Sequence, residues 1–119
     1  MRSLVIKCTA GTEDAERCSQ AFTVATAAVV SGAEVSLWLT GEAAWLAVPG
    51  RAEKFDLPLA APLAEARDLV AGSGDLVVCA QCAARRGITA DDLVPGARIS
   101  GATAFAEAIL ADGVQAIVY

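Results

Sequence analysis

The chain has 119 residues, with fourteen acidic side chains, nine basic ones and no histidine. That length fits one domain over residues 1–119, and the lack of imidazole excludes a Ser-His-Asp triad, a Cys-His nucleophile pair and a His-ligated zinc or iron. A formal charge of −5, with Arg85-Arg86 as the one adjacent basic pair, argues against binding nucleic acid or an anionic membrane, which takes clustered Lys and Arg. Apolar residues reach 55% before the ten glycines are counted, more than a small monomer needs. Surplus apolar surface fits a subunit interface, so a homo-oligomer is expected.

Residues 3–9 are an apolar run closed by Ala10-Gly11, the pattern of a strand buried on both faces. Lys7 breaks the run and an acidic stretch follows, so it does not read as a signal peptide; no apolar segment reaches the length of a membrane span. A cytoplasmic location with reduced thiols is therefore expected. Thr12 is the expected N-cap of a helix with Glu13, Asp14 and Glu16 in its first turns and Gly32 as its stop. Ala15, Cys18, Phe22, Ala25 and Val29 form one apolar stripe along it. Residues 33–39 predict a second strand, residues 41–48 a short helix stopped by Pro49-Gly50, and residues 51–58 a polar surface loop.

Ala61 or Pro62 opens a further helix with Leu63, Ala66, Leu69 and Val70 on its apolar side, ending at Gly72-Ser-Gly74. Asp75-Leu-Val-Val-Cys79 is a third buried strand, and residues 80–86 allow two helical turns. Thr89-x-x-Asp92 has the form of a capping box, residues 97–100 of a fourth strand. Residues 103–111 carry Phe105, Ala106, Ile109 and Leu110 at helical spacing, and residues 114–119 are a last strand. Strands alternating with helices through short turns predict an α/β fold, a mostly parallel sheet covered on both faces.

In open parallel sheets functional groups gather at the carboxyl ends of the strands. Three segments fall there: Cys8-Thr-Ala-Gly11, Thr40-Gly41-Glu42 and Cys79-Ala-Gln-Cys82. Cys79 closes a strand just before a helix, where the helix terminus favours thiolate over thiol. Such a thiol attacks sulfur electrophiles and holds a terminal sulfur as a persulfide without needing histidine. Cys82, three residues on, shares its helix face and could resolve a mixed disulfide or receive the sulfur. Three other readings compete. Zinc needs four ligands, and Cys8 and Cys18 are spaced too far apart to complete a usual set. A thioredoxin-like site fits the strand-then-helix placement but lacks a Trp before the first Cys and a suitable cis-Pro strand. Both thiols could also be small apolar fillers in an Ala-rich turn.

Cys18 belongs to the apolar stripe and is expected in packing, as is Cys8, although Cys8 could approach Cys79 if their strands are close neighbours. Trp38 and Trp45 are expected as core or interface anchors. The turn Thr9-Ala-Gly11-Thr12 resembles a short anion-holding loop without the glycine pattern of a dinucleotide or P-loop site, so no cofactor is expected. Glu42, Asp91 and Asp92 read as capping or solvated charges.

The stretch Asp75-Leu-Val-Val-Cys79-Ala-Gln-Cys82-Ala-Ala-Arg85-Arg86-Gly87-Ile88 resembles the active-cysteine region of the DsrE/DsrF-like proteins, which include sulfur-relay subunits of tRNA thiolation and of dissimilatory sulfur oxidation. The Thr9-to-Thr12 turn, the Ala-rich first helix, the Val35-to-Leu39 strand and Gly41-Glu-Ala-Ala-Trp-Leu46 are similar too. The resemblance implies a three-layer α/β/α domain with a five-stranded parallel sheet, assembled as trimers or hexamers. It also implies that Cys79 accepts sulfane sulfur as a persulfide and passes it on, with sulfur donor and acceptor proteins as partners. Cys82 departs from the relay pattern, in which that position is often a small residue. A dithiol there could instead release sulfide or form a disulfide, so a thiol-disulfide oxidoreductase using Cys79 and Cys82 stands as one alternative and a non-catalytic oligomeric binding module as another.

Overall fold

The computed structural model describes residues 2–119. Five strands, β1 (Ser3–Cys8), β2 (Glu34–Leu39), β3 (Asp75–Cys79), β4 (Ala97–Ser100) and β5 (Val114–Val118), form one sheet in the order β4-β3-β2-β1-β5. Every pairing is parallel, with Ile6 beside Leu37, Trp38 beside Val77 and Val77 beside Arg98. The helices are α1 (Ala15–Val30), α2 (Leu63–Ser73), α3 (Ala80–Arg85) and α4 (Ala102–Leu110), with 3-10 turns at Thr12–Asp14, Gly41–Ala47, Ala52–Lys54 and Ala90–Asp92. The expected α/β architecture and the alternation of elements are thus present.

Strand order explains how the layers are filled. From β1 to β4 the chain steps in one direction across the sheet, so right-handed crossovers leave their connecting segments on one face. Ile6, Cys8, Leu37, Leu39, Leu76 and Val78 point to that face and pack with Cys18, Phe22 and Ala25 of α1, Leu63 and Val70 of α2, Leu46 of the 41–47 turn and Ala83 of α3. Each large side chain fully buried there contributes about 1.5–3 kcal/mol. From β4 the chain must return to the far side of β1, and α4 lies on the opposite face. There it covers Val5, Trp38 and Val77 with Ala104, Phe105, Ala108 and Ile109. One nine-residue helix is a thin cover for five strands: no residue of α4 is buried, and Ala116, Ile117 and Val118 of β5 stay exposed.

Three local details differ from the sequence reading. The helix cap is Asp14, whose carboxylate accepts from the Arg17 N–H at 3.4 Å, because Thr12 opens a 3-10 turn before α1 begins. The 41–47 segment is wound as a 3-10 helix. Arg67, which the sequence reading did not single out, shares the buried face of α2 with Leu63 and Val70 and is only 3% exposed; it donates to Glu53 at 2.9 and 2.8 Å and to Asp68 at 2.9 Å, tying α2 to the 52–54 turn. The capping box is present: Asp92 accepts from the Thr89 N–H at 2.8 Å and from its hydroxyl at 3.0 Å.

Candidate functional site

The carboxyl ends of β1, β2 and β3 bring the three strand-end segments together. A Cβ added to Gly11 would lie 2.7 Å from the Glu42 carbonyl oxygen, so glycine is what lets the first segment reach the second. Gly41, at φ +56, turns its N–H onto the Cys82 sulfur at 3.2 Å, joining the second segment to the third. Arg86 completes the strap. Its Nη1 donates to the Cys82 carbonyl at 3.0 Å and its Nε to Glu42 at 2.8 Å, so Arg86 holds α3 to the 41–47 turn rather than facing Cys79. Arg85 is exposed.

Cys79 ends β3 at the N-cap of α3 and is half-buried, as is Cys82. Strand alternation places it on the α4 side with Val77, opposite Val78. Burial pushes its thiol up. Against this, the Cys82 N–H, the Cys82 thiol, the Gln81 N–H and the Lys7 ammonium all favour the thiolate, and together they hold the group below its ordinary value. Lys7 is the residue that the sequence reading missed. It sits on the α4 face of β1, next to Trp38 in register, with its Nζ 4.1 Å from the centroid of the Phe105 ring. The available signal was Lys7 itself, one cation inside a run otherwise fit for burial; its tie to Cys79 depends on strand order.

Phe105 in turn meets Trp38 edge to face, with centroids 5.3 Å apart and planes at 78°. Trp38 is buried, as expected of a core anchor, and its Nε1 lacks a hydrogen-bond partner among the described residues. Trp45 is partly buried and stacks under Arg51, whose guanidinium carbon lies 4.1 Å from the ring centroid.

Cys8 and Cys18 form a separate pair. Both are 0% exposed. β2 lies between β1 and β3, and Cys8 points into the α1 side of the sheet, so Cys8 does not approach Cys79. The Cys8 thiol donates to the Ala10 carbonyl at 3.1 Å. The neighbouring Cys8 thiol, with burial, pushes the Cys18 thiol far up.

The turn after β1 is filled by the chain itself, since the Gly11 N–H donates to the Glu13 carboxylate at 2.6 Å. Among the described residues no cluster of three or more Cys, Asp or Glu is placed to hold a metal ion. An open apolar groove of about 430 Å³ between α1 and α2, lined by Phe22, Leu63, Ala66 and Leu69 among others, shares no residue with the strand-end segments. Its lining has no cysteine, so the thiol chemistry rather than the volume locates the site.

The structure is similar to the crystal structure of the ychN protein from E. coli, with a TM-score of 0.83 and 17% identity over 100% of both chains. It is also similar to a protein of unknown function, MTH1491 from Methanobacterium thermoautotrophicum, with a TM-score of 0.76 and 10% identity, again over 100% of both chains. At these identities the likeness shows the fold. No curated protein matches the sequence. The sequence profile of the DsrE/DsrF-like family matches residues 2–119. The chain belongs to the DsrE/DsrF-like family, and in that general sense is a sulfur-relay-related protein.

Proposed function

We propose that the protein accepts sulfane sulfur as a persulfide on Cys79 and passes it to an acceptor thiol. The observation that carries this reading is the set of groups around Cys79, where two backbone N–H groups, the Cys82 thiol and Lys7 outweigh burial in favour of the thiolate. The thiolate attacks the outer sulfur of a donor persulfide R–S–SH; the new S–S bond forms on Cys79 and R–S⁻ leaves with the electron pair. A second thiolate, on the acceptor, then takes the terminal sulfur in the same way. The test is incubation of the reduced protein with glutathione persulfide, followed by intact mass. The Cys82→Ser variant should gain one sulfur and Cys79→Ser none. An equal gain on Cys79→Ser overturns the reading.

The reading includes a homo-oligomer, a trimer or hexamer, built on the α4 and β5 face. Parallel sheets are covered on both faces, yet on the α4 side only Val5, Trp38 and Val77 are buried, and Leu110 and Val118 are 80% and 62% exposed. The helix carries a single charge, Glu107, so a second copy of the same apolar face suits it better than a charged partner. Light scattering should show Leu110→Glu and Val118→Glu lowering the oligomer mass; a wild-type monomer would end the proposal. Among the described residues no helix is long and apolar enough to cross a membrane. A reducing, cytoplasmic setting suits four free thiols.

A further inference from the structure

The Cys82 sulfur has two neighbours that fix its direction. From one side the Gly41 N–H donates to it at 3.2 Å, which occupies a sulfur lone pair and leaves the S–H free to turn away. Cys79 is the N-cap of the same helix, three residues back, near enough for Cys82 to favour its thiolate. The Arg86 strap, anchored on Glu42 and on the Cys82 carbonyl, holds the first turn of α3 in this position. An i, i+3 pair on one helical turn brings its Cβ atoms to about 5–6 Å, from which a small adjustment reaches disulfide distance. Cys8 and Cys18 are fully buried, so no other thiol of the chain competes for the site.

We infer that Cys82 resolves the Cys79 persulfide, so that the protein releases sulfane sulfur as hydrogen sulfide and is left with a Cys79–Cys82 disulfide. This rests on the reading that Cys79 takes up the sulfur. The Cys82 sulfur attacks the inner sulfur of Cys79–S–SH. A Cys79–Cys82 bond forms, the persulfide S–S bond breaks, and its electron pair leaves with the terminal sulfur. That sulfur takes the proton given up by Cys82 and departs as hydrogen sulfide. The terminal sulfur is reduced, and the two cysteine sulfurs are oxidised to the disulfide. Return to the dithiol needs an external dithiol reductant. In the presence of an acceptor thiolate the same persulfide has two exits, and Cys82 determines how long it survives.

The experiment is a single turnover. Reduced, desalted protein is mixed with one equivalent of glutathione persulfide, quenched in acid, and assayed for sulfide, for intact mass and for the disulfide by peptide mapping. Wild type should release about one sulfide per protomer and show Cys79 linked to Cys82, whereas Cys82→Ser and Cys82→Ala should stay at the donor-only background and retain one added sulfur. Cys79→Ser should do neither. If wild type keeps its added sulfur as long as the Cys82 variants do, with no disulfide, the inference is overturned while the uptake reading stands. If the Cys82 variants take up no sulfur, the uptake reading fails and the inference falls with it.

Discussion

Replacing Phe105 by Leu would test how α4 is coupled to the thiol site. Leucine keeps most of the volume in contact with Val5, Trp38 and Val77, so the perturbation is confined to the ring's electronic interactions. Two are lost: the edge-to-face contact with Trp38 at 5.3 Å and 78°, and the Lys7 ammonium at 4.1 Å from the centroid. The first is worth about 0.5–1.5 kcal/mol beyond area burial and the second about 0.5–1 kcal/mol, so their joint loss is about 1–2.5 kcal/mol. Urea unfolding at matched protomer concentration measures it, because association shifts apparent stability. The same substitution leaves Lys7 without its ring. The pH midpoint of Cys79 alkylation by iodoacetamide should then move up toward the ordinary thiol value, since the ammonium is one of the groups that hold it down. A variant as stable as wild type, with an unmoved alkylation midpoint, would refute the coupling.

Lys7→Gln should raise the Cys79 alkylation midpoint directly, and an unmoved midpoint would contradict this assignment. Gly11→Ala places a Cβ 2.7 Å from the Glu42 oxygen and 2.8 Å from its carbonyl carbon, a backbone clash expected to cost about 1–3 kcal/mol in urea unfolding, and an unchanged midpoint would count against the close approach. The Arg67 guanidinium holds the Glu53 carboxyl down to about 2 from its usual 4.5, so the stability lost in Arg67→Met should be full above pH 4.5 and should fade as pH falls through about 2. Melting temperatures across that range check it, and a difference independent of pH would be the contrary result. Alkylation should reach Cys79 and Cys82 in the folded protein and all four thiols after unfolding; labelling of Cys8 or Cys18 in the native state would contradict their full burial.

The fold was legible because buried parallel strands and amphipathic helices leave different periods in the sequence. Leu37-to-Leu39 and Leu76-to-Cys79 read as apolar runs, and Cys18, Phe22 and Ala25 as a helical stripe, each for a reason local to the segment. Cys79 was legible for the same reason: the end of a strand and the start of a helix are local. What depends on strand order was not. That Cys8 lies two strands from Cys79 follows only from β2 standing between β1 and β3. The burial of Arg67 likewise requires Glu53 to arrive from the 52–54 turn, and a charged residue at a helix position otherwise reads as solvent-facing.

Lys7 and Arg86 show why residue type near a cysteine is a poor guide to its electrostatics. Arg86 is closer in sequence, four residues beyond Cys82, but its guanidinium is matched by the Glu42 carboxylate at 2.8 Å. Together they form a nearly neutral pair whose field falls off quickly, useful for holding α3 and weak at stabilising a thiolate. Lys7 is held by the face of Phe105, a neutral group whose quadrupole attracts the ammonium without cancelling its charge. The ammonium is therefore not offset by a carboxylate, and across β2 it adds the smallest of the contributions that favour the Cys79 thiolate, in a partly desolvated layer where Coulomb interactions are screened less than at the surface. An anchor made of carbon is what allows a lysine seventy-two positions away in sequence to do what an adjacent arginine cannot.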